Sequence, residues 1–337
     1  MENGSYFYYN KAIFGHYPSQ DEIDDLEKMG VIWFVNLTYS DERLIKPYKT
    51  TYNYINFPIK DNDIPLNIVN YTKFLIRLSK IIKSIKGNEK IYIHCKAGHG
   101  RCGIVVSCLL YLLLKNINSF QALEMTNNYH NKRINMRERW RRIGSPQTRG
   151  QKMFVKNYLY PLYINDNSKY NLYSDFLLDN DKYSIDIPNL GRFNNCRGAY
   201  EVFKNLADKE YIKKQKISLS SSISRLLGNK KIIYNKGKWE KNKSKILYKI
   251  LKIKFDNNLE LKKRLINTGI RPLKISLRRL KCKYLINDIK LTLKILTRIR
   301  YEYYDKMILE KKNIKEDEDE KWVIKKGKNR FNSFLNI

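Results

Sequence analysis

The sequence is short of acidic residues, paired cysteines and long apolar runs, and each shortage removes a class of answer. Five cysteines, an odd number without paired spacing, and the lack of an apolar leader after Met1-Glu2-Asn3-Gly4 argue against a secreted, disulfide-stapled chain. No stretch approaches the roughly 18–20 apolar residues of a helical membrane span. The four histidines, His16, His94, His99 and His130, are too scattered for a zinc site, and no internal repeat stands out. These absences lead us to expect a soluble, intracellular, cytoplasmic chain without a cofactor or metal. For a viral chain, the same absences place it in the host cell or the virion.

What is present is the run His94-Cys95-Lys96-Ala97-Gly98-His99-Gly100-Arg101-Cys102-Gly103. Before it, Lys90-Ile91-Tyr92-Ile93 is β-rich, and after it Ile104 to Leu114 is almost wholly apolar, so the order reads strand, loop, helix. This puts Cys95 at a strand end and the loop's N–H groups at a helix N-terminus, where orphan donors and the dipole favour an anion. The same field favours a thiolate, taking a cysteine pKa from about 8.5 towards roughly 3.5–7.5. Arg101 returns across the loop with a planar fork for two phosphoryl oxygens. Gly98, Gly100 and Gly103 let the backbone amides turn inward. The segment is a phosphate cradle, Lys96 to Cys102, carrying its own nucleophile.

These residues resemble the signature of the cysteine-dependent protein tyrosine and dual-specificity phosphatases: histidine-cysteine, five residues, arginine. The closest likeness is to members whose loop reads Lys-Ala-Gly after the cysteine, a set that includes a phosphoinositide phosphatase. The resemblance implies an α/β fold, a phosphatase-type central sheet flanked by helices. It implies Cys95 as the nucleophile that forms a cysteinyl-phosphate, Arg101 as the phosphate clamp and His94 as an orienting neighbour. In that family an aspartate on a separate loop protonates the leaving oxygen and then activates water. Phe57-Pro58-Ile59-Lys60-Asp61-Asn62-Asp63-Ile64-Pro65 resembles that loop, which makes Asp61 the general acid and base and Asp63 the alternative. Turn aspartates beside prolines would read the same way. Gly15 to Gln20, then Ile23 to Leu37, resembles the family's opening: a strand, a short helix reaching Gly30, and the strand Val31 to Leu37. Ser145-Pro146-Gln147-Thr148 and Gln151 resemble its closing segment, which gives Gln151 the task of orienting the hydrolytic water; a solvated surface glutamine is the plainer alternative.

Two departures bear on rate and regulation. Family members usually carry Ser or Thr after the arginine; here Cys102 offers only a weak S–H donor to the departing thiolate. Slower breakdown of the cysteinyl-phosphate is expected where that step limits. Cys102 is also placed to cap Cys95 as a reversible disulfide under oxidation, or simply to fill space. His99, between two glycines, is expected either to add positive charge below about pH 6.5 or to face solvent.

The length of 337 residues leaves room for two domains. We expect a phosphatase-like domain over residues 1–163, a polar linker from Ile164 to Lys169, a mostly α-helical domain over 171–312, and a charged tail over 313–337. The tail opposes Glu316-Asp317-Glu318-Asp319-Glu320 to Lys325-Lys326-Gly327-Lys328 and reads as solvated. Helices are expected over Trp239–Phe255, Asn257–Leu265, Leu277–Leu285 and Ile289–Ile299. In the second half, Trp239, Lys243, Lys254 to Asn258, Leu261, Leu265 and Thr268-Gly269 resemble the NADAR family. Leu172 to Phe176, and Ala199-Tyr200 with Lys204, resemble that family's opening and its motif helix. Its members cleave N-glycosidic bonds in ribose-phosphate compounds. The resemblance puts the family's glutamate at Arg197 and its histidine at Gly198, so the acid is missing. Glu201, four positions on, is placed on a different face of the helix. The tryptophan-glycine pair after Thr268-Gly269 is missing as well, with Ser276 to Arg279 in its place. The domain is read as an inactive relative that binds a phosphorylated or nucleotide-like ligand or acts as a scaffold.

Lys and Arg number 66 against 33 Asp and Glu, a net charge of +33. Abundant Lys, Asn, Ile and Tyr make part of this codon bias, yet residues 201–300 alone hold 29 Lys and Arg against 7 Asp and Glu, a segment suited to polyanions. The expected partner is a phosphorylated protein, with a phosphoinositide (through Lys96 and His99) or RNA ends (through the basic second half) as alternatives. Different in kind are a non-catalytic phosphate-binding adaptor and an N-glycosidase acting through Glu201.

Overall fold

In the computed structural model, which describes residues 3–164, 177, 183–229, 233–275, 285–310 and 323–325, the chain forms two units, Met1–Tyr160 with Met307–Ile337 and Pro161–Lys306. The first begins with β1 (Gly4–Tyr8), β2 (Ala12–Gly15), α1 (Gln20–Lys28), β3 (Val31–Asn36) and β4 (Asn53–Asn56). It continues through α2 (Ile68–Ser84), β5 (Lys90–His94), α3 (Gly100–Leu113), α4 (Ser119–Asn131), α5 (Glu138–Ile143) and α6 (Arg149–Leu159). The strand and helix expected around Cys95 are β5 and α3, and the expected opening is β2, α1 and β3.

Helices α1, α4 and α6 each start at a capping box, Ser19 with Glu22, Asn118 with Gln121 and Thr148 with Gln151, which satisfies their first N–H groups within the chain. Helix α3 differs: His99 at its N-cap makes no side-chain cap, so its first turn is left facing the cradle. From Gly100 to Leu110 every residue of α3 is buried. Burying each of its Ile, Leu and Val side chains is worth about 1.5–3 kcal/mol. The helix packs on α2, α4 and α6, and Ser107 meets Thr126 of α4 across a 2.8 Å hydroxyl pair.

Strands β2, β3 and β4 run parallel with β5 at their centre, and β1 is antiparallel to β2. All of β2 and β5 is buried, as parallel strands covered on both faces require. Gly15 and Asn36 both pair with His94, so three strand ends finish level and Cys95 is the next residue out. In open parallel sheets ligands bind at this carboxyl edge.

The second unit contains β6 (Leu162–Ile164), β7 (Ile185–Ile187), β8 (Gly191–Phe193), α7 (Cys196–Glu201), α8 (Lys209–Ile217), α9 (Ser221–Asn229), α10 (Lys236–Asp256), α11 (Leu259–Asn267), β9 (Leu273–Ile275) and, as far as Lys306, α12 (Leu285–Glu310). It is mainly helical, with Phe193, Leu251, Phe255, Leu265 and Ile299 in its core. The expected helix Trp239–Phe255 lies within α10 and Ile289–Ile299 within α12, while α11 starts two residues later than expected. Residues 277–284 of the expected helix Leu277–Leu285, and the segments Leu172 to Phe176 and Ser276 to Arg279, lie outside the described residues. Within the segment read as a charged tail, β10 (Val323–Lys325) pairs antiparallel with β4, which completes the first unit's sheet in the order β1-β2-β5-β3-β4-β10. Among the described residues no helix is long and apolar enough to cross a membrane.

Candidate active site

Cys95 is 2% exposed, and its thiol pKa is lowered to about 6, first by a hydrogen bond from the Cys102 thiol. Burial opposes the shift, while the Arg101 charge and the N–H groups of Cys102 and Gly98 add to it. Burial holds Cys102 well above the ordinary thiol value, so it keeps its proton. Its single S–H has the carbonyls of Gly15 at 3.6 Å and Ile93 at 3.7 Å in reach as well. A charged acceptor makes the stronger bond, which favours the Cys95 thiolate. The loop keeps its shape through Gly98, whose φ is +73° and where a Cβ would stand 2.5 Å from the Gly15 backbone.

Arg101 is 1% exposed and is held on two sides. Its Nη1 donates to Glu42 Oε2 at 2.6 Å and to the Ile59 carbonyl at 3.2 Å, and its Nη2 to Glu42 Oε1 at 2.8 Å. Asp61 Oδ1 lies 3.0 Å from the same Nη2. Burial alone would lower the Arg101 pKa, but the Glu42 hydrogen bond and the charges of Cys95, Glu42 and Asp61 raise it. The sequence reading missed Glu42. It is 59 residues from Arg101, and no motif spacing flags it.

The loop carrying Asp61 is tied to the sheet edge by Phe57 N–H to the Asn36 carbonyl, 2.9 Å, and Ile59 N–H to the Leu37 carbonyl, 3.1 Å. The structure thus brings Asp61, half exposed at 52%, to the cradle's arginine. Asp63 Oδ1 accepts the Ile64 N–H at 2.8 Å, as Asp61 Oδ1 accepts the Asn62 N–H at 3.1 Å, and the Asp63 carbonyl accepts Gln151 Nε2 at 3.1 Å. Gln151 is not a solvated residue but fully buried. Its Oε1 accepts the Thr148 N–H at 3.1 Å, and its amide lies against Gly100, 2.7 Å from where a Cβ would stand. It therefore links the aspartate loop to α6 beside the start of α3.

His94 is fully buried; its Nε2 meets the Tyr48 hydroxyl at 2.7 Å, and the Tyr92 ring stacks on it at 5.7 Å. Burial lowers its pKa to about 3, so at neutral pH the ring is neutral. Lys96 is partly exposed and its carbonyl accepts the Tyr17 N–H at 3.1 Å, while Ala97 is exposed.

Neither expectation for His99 holds. It is 8% exposed, pairs with His130 across 2.8 Å and stacks on Trp140 at 4.8 Å. Burial, with His130 and Arg133 beside it, lowers its pKa to about 3. It is a neutral wall of the cradle, neither a cation at pH 6 nor solvent-facing.

The placing of Glu201 is also corrected. Four helical residues advance the chain by about 400°, only about 40° off one face, and Glu201 accordingly pairs with Arg197 at 2.5 Å. Lys204 takes its other oxygen at 2.6 Å, and Glu201 is fully buried. Among the described residues no group of three His, Cys, Asp or Glu is placed to hold a metal ion.

Residues 13–155 match the family described as "PTP-SAK: Swiss Army Knife protein, DSP-PTPase phosphatase domain". The chain is 39% identical over 160 residues to "Putative tyrosine phosphatase 067L" of Invertebrate iridescent virus 3, covering 47% of this chain and 66% of that protein. It is 37% identical over 166 residues to "Putative tyrosine phosphatase 197R" of Invertebrate iridescent virus 6, covering 49% and 56%. The chain thus spans less than two thirds of either relative. Among solved structures, the active form of Tk-PTP is 20% identical and covers 46% of this chain and 95% of that one, with a TM-score of 0.36. Residues 13–155 are therefore a phosphatase domain of the DSP-PTPase type.

Proposed function

We propose that the chain hydrolyses phosphomonoesters through a cysteinyl-phosphate, as a protein tyrosine or dual-specificity phosphatase. The observation that carries this reading is the buried pair Cys95 and Arg101 in one loop, with Asp61 of a separate loop 3.0 Å from the same arginine. At neutral pH the Cys95 thiolate attacks phosphorus while Asp61, protonated, gives its proton to the departing oxygen, so an S–P bond forms as the P–O bond breaks. Water then attacks phosphorus, Asp61 takes its proton, and the S–P bond breaks to return the Cys95 thiolate and inorganic phosphate. Cys102 donates its S–H to the returning sulfur. Gln151, tied to the aspartate loop, supports the attacking water's place beside Gly100. The substrate we assign is a phosphorylated protein.

For the second unit we infer a binding or scaffolding role rather than glycoside cleavage. Glu201 is buried with a cation on each oxygen, an arrangement that fixes a carboxylate as an ion-pair partner.

The test is hydrolysis of a plain aryl phosphate in reducing buffer by the wild type, Cys95→Ser and Asp61→Asn. Activity should vanish with Cys95→Ser and fall by roughly 10²–10³-fold with Asp61→Asn. A folded wild type without activity would favour a phosphate-binding adaptor.

A further inference from the structure

Helix α9 in the second unit turns its small residues inward and its large apolar ones outward. Ser224 and Gly228, one turn apart, are its buried positions. Ser224 Oγ lies 3.2 Å from Oδ1 of Asn195, the cap of α7, and 2.8 Å from Ser218 Oγ. A Cβ at Gly228 would meet the Glu201 carboxylate. Contact this close with α7 leaves no room for a leucine on that face. Ile223 and Leu226, three positions apart and so on one side of the helix, are exposed instead, Leu226 at 64%.

The turn entering α9 extends this face. Ser218 is buried against Ser224, and Ser220 accepts the Ser224 N–H on its carbonyl at 3.0 Å and the Ile223 N–H on its Oγ at 3.2 Å. Ile217 and Leu219, on either side of Ser218, are turned out beside the helix, Leu219 at 78% exposure. Helix α8 buries Tyr211 and Gln215, so its opposite side, where Lys209, Lys213 and Ile217 follow at four-residue spacing, meets solvent. Four exposed aliphatic side chains thus gather at the α8–α9 corner. A cluster of this kind marks an interaction surface, unlike a single exposed leucine.

Charge selects the partner. From Lys209 to Lys231 the sequence holds seven Lys and Arg and a single acid, Glu210, and Lys214 pairs with that acid at 2.5 Å. A second copy would bring two such basic rims together, which like-charge repulsion opposes. Protein interfaces are depleted in lysine and anchored by aromatic side chains and arginine, whereas the exposed apolar residues here are all aliphatic and their neighbours are lysines. We propose that the α8–α9 corner docks on an anionic lipid surface. Ile217, Leu219, Ile223 and Leu226 enter the bilayer interface, and Lys209 and Lys213 lay their stems along it and carry their charges to the headgroup phosphates. This gives a partner to the binding role inferred for the second unit, on the side of α9 away from Glu201, and hydrolysis by the first unit does not depend on it.

The experiment is co-sedimentation of the full chain with vesicles of equal parts phosphatidylcholine and phosphatidylserine, and with vesicles of phosphatidylcholine alone. The wild type should bind the mixed vesicles and bind the neutral ones roughly tenfold more weakly or less. The double variant Leu219→Ser with Leu226→Ser keeps every charge and alters only exposed side chains. Its circular dichroism should match the wild type's, and its affinity for the mixed vesicles should fall roughly tenfold. Lys209→Gln with Lys213→Gln should lose about as much. Absence of binding to the mixed vesicles overturns the lipid surface, and so does binding that the double Ser variant leaves intact, since net charge alone would then hold the chain. A dimer on size exclusion, or capture of poly-glutamate, that the double Ser variant abolishes while no vesicle is bound would assign the face to a second copy or to an acidic polypeptide and likewise overturn it. Aryl phosphate hydrolysis tests the phosphatase reading separately, and it stands under each of these outcomes.

Discussion

Glu42 holds both terminal nitrogens of Arg101, at 2.6 and 2.8 Å, in a fork-to-fork pair that is almost wholly buried. The pair fixes the plane of the guanidinium before any phosphate arrives, so binding need not order that side chain. Removing one partner of a buried pair strands the other charge. Glu42→Ala should therefore cost about 3–5 kcal/mol of stability and lower kcat/KM by roughly a hundredfold. Glu42→Gln keeps one acceptor and should lose less of both. Urea unfolding and aryl phosphate kinetics on the two variants check this; a Glu42→Ala enzyme with wild-type kcat/KM would remove Glu42 from the clamp.

The hydrogen bond from the Cys102 thiol does more than any other contact to lower the Cys95 thiol to about 6. Losing that donor in Cys102→Ala should raise the thiol pKa by about one to two units. The acid limb of kcat/KM, which falls as pH drops and the thiolate is protonated, should move up by the same amount. Cys102→Ser restores a donor, and a stronger one, so the limb should stay near 6 and the second step should quicken. Pre-steady-state release of the phenol separates the two steps. An unmoved limb in Cys102→Ala would contradict the donor assignment.

The cradle was legible in the sequence because strand, loop and helix are consecutive, and the chemistry needs their residues at fixed short spacing. Asp61 was legible for a similar reason, its loop being one local motif. Glu42 and the His99–His130 pair were not, because each meets its partner only through the tertiary fold: 59 residues separate Glu42 from Arg101, and 31 separate the two histidines. His99 misled for a physical reason. A histidine between two glycines reads as exposed, but the cradle turns it inward onto Trp140. The error over Glu201 was one of helical geometry, since positions i and i+4 share a face.

Three buried histidines make stability depend on pH. His94 and His99 titrate near 3 and His130 near 4, all lowered by burial first, against about 6.5 in an unfolded chain. Between pH 6.5 and 4 the unfolded chain binds protons that the folded chain refuses. Stability should therefore be whole above 6.5 and decline as pH falls, by about 2–4 kcal/mol per unit near pH 5. Urea midpoints at pH 7, 6 and 5 would show it, and a flat profile would mean that these rings are solvated in the native state.

In the second unit, Glu201 lies between Arg197 at 2.5 Å and Lys204 at 2.6 Å, with Arg197 also 3.4 Å from Asp288. The arginine at the position where the resemblance expects a carboxylate is thus the partner of the neighbouring acid. Restoring the carboxylate by Arg197→Glu would bury two like charges one helical turn apart and leave Lys204 to neutralise both. Glu201→Gln would instead leave two buried cations facing a neutral amide. Either change should destabilise the unit by about 3 kcal/mol or more. The double variant Arg197→Glu with Glu201→Arg reverses the pair and should recover part of the loss. Hydrogen exchange followed residue by residue through α7, α9 and α10 would read that recovery. Single variants with unchanged protection would show that Glu201 is held for something other than the fold, and an assay for base release from ribosides would then become the measurement to make.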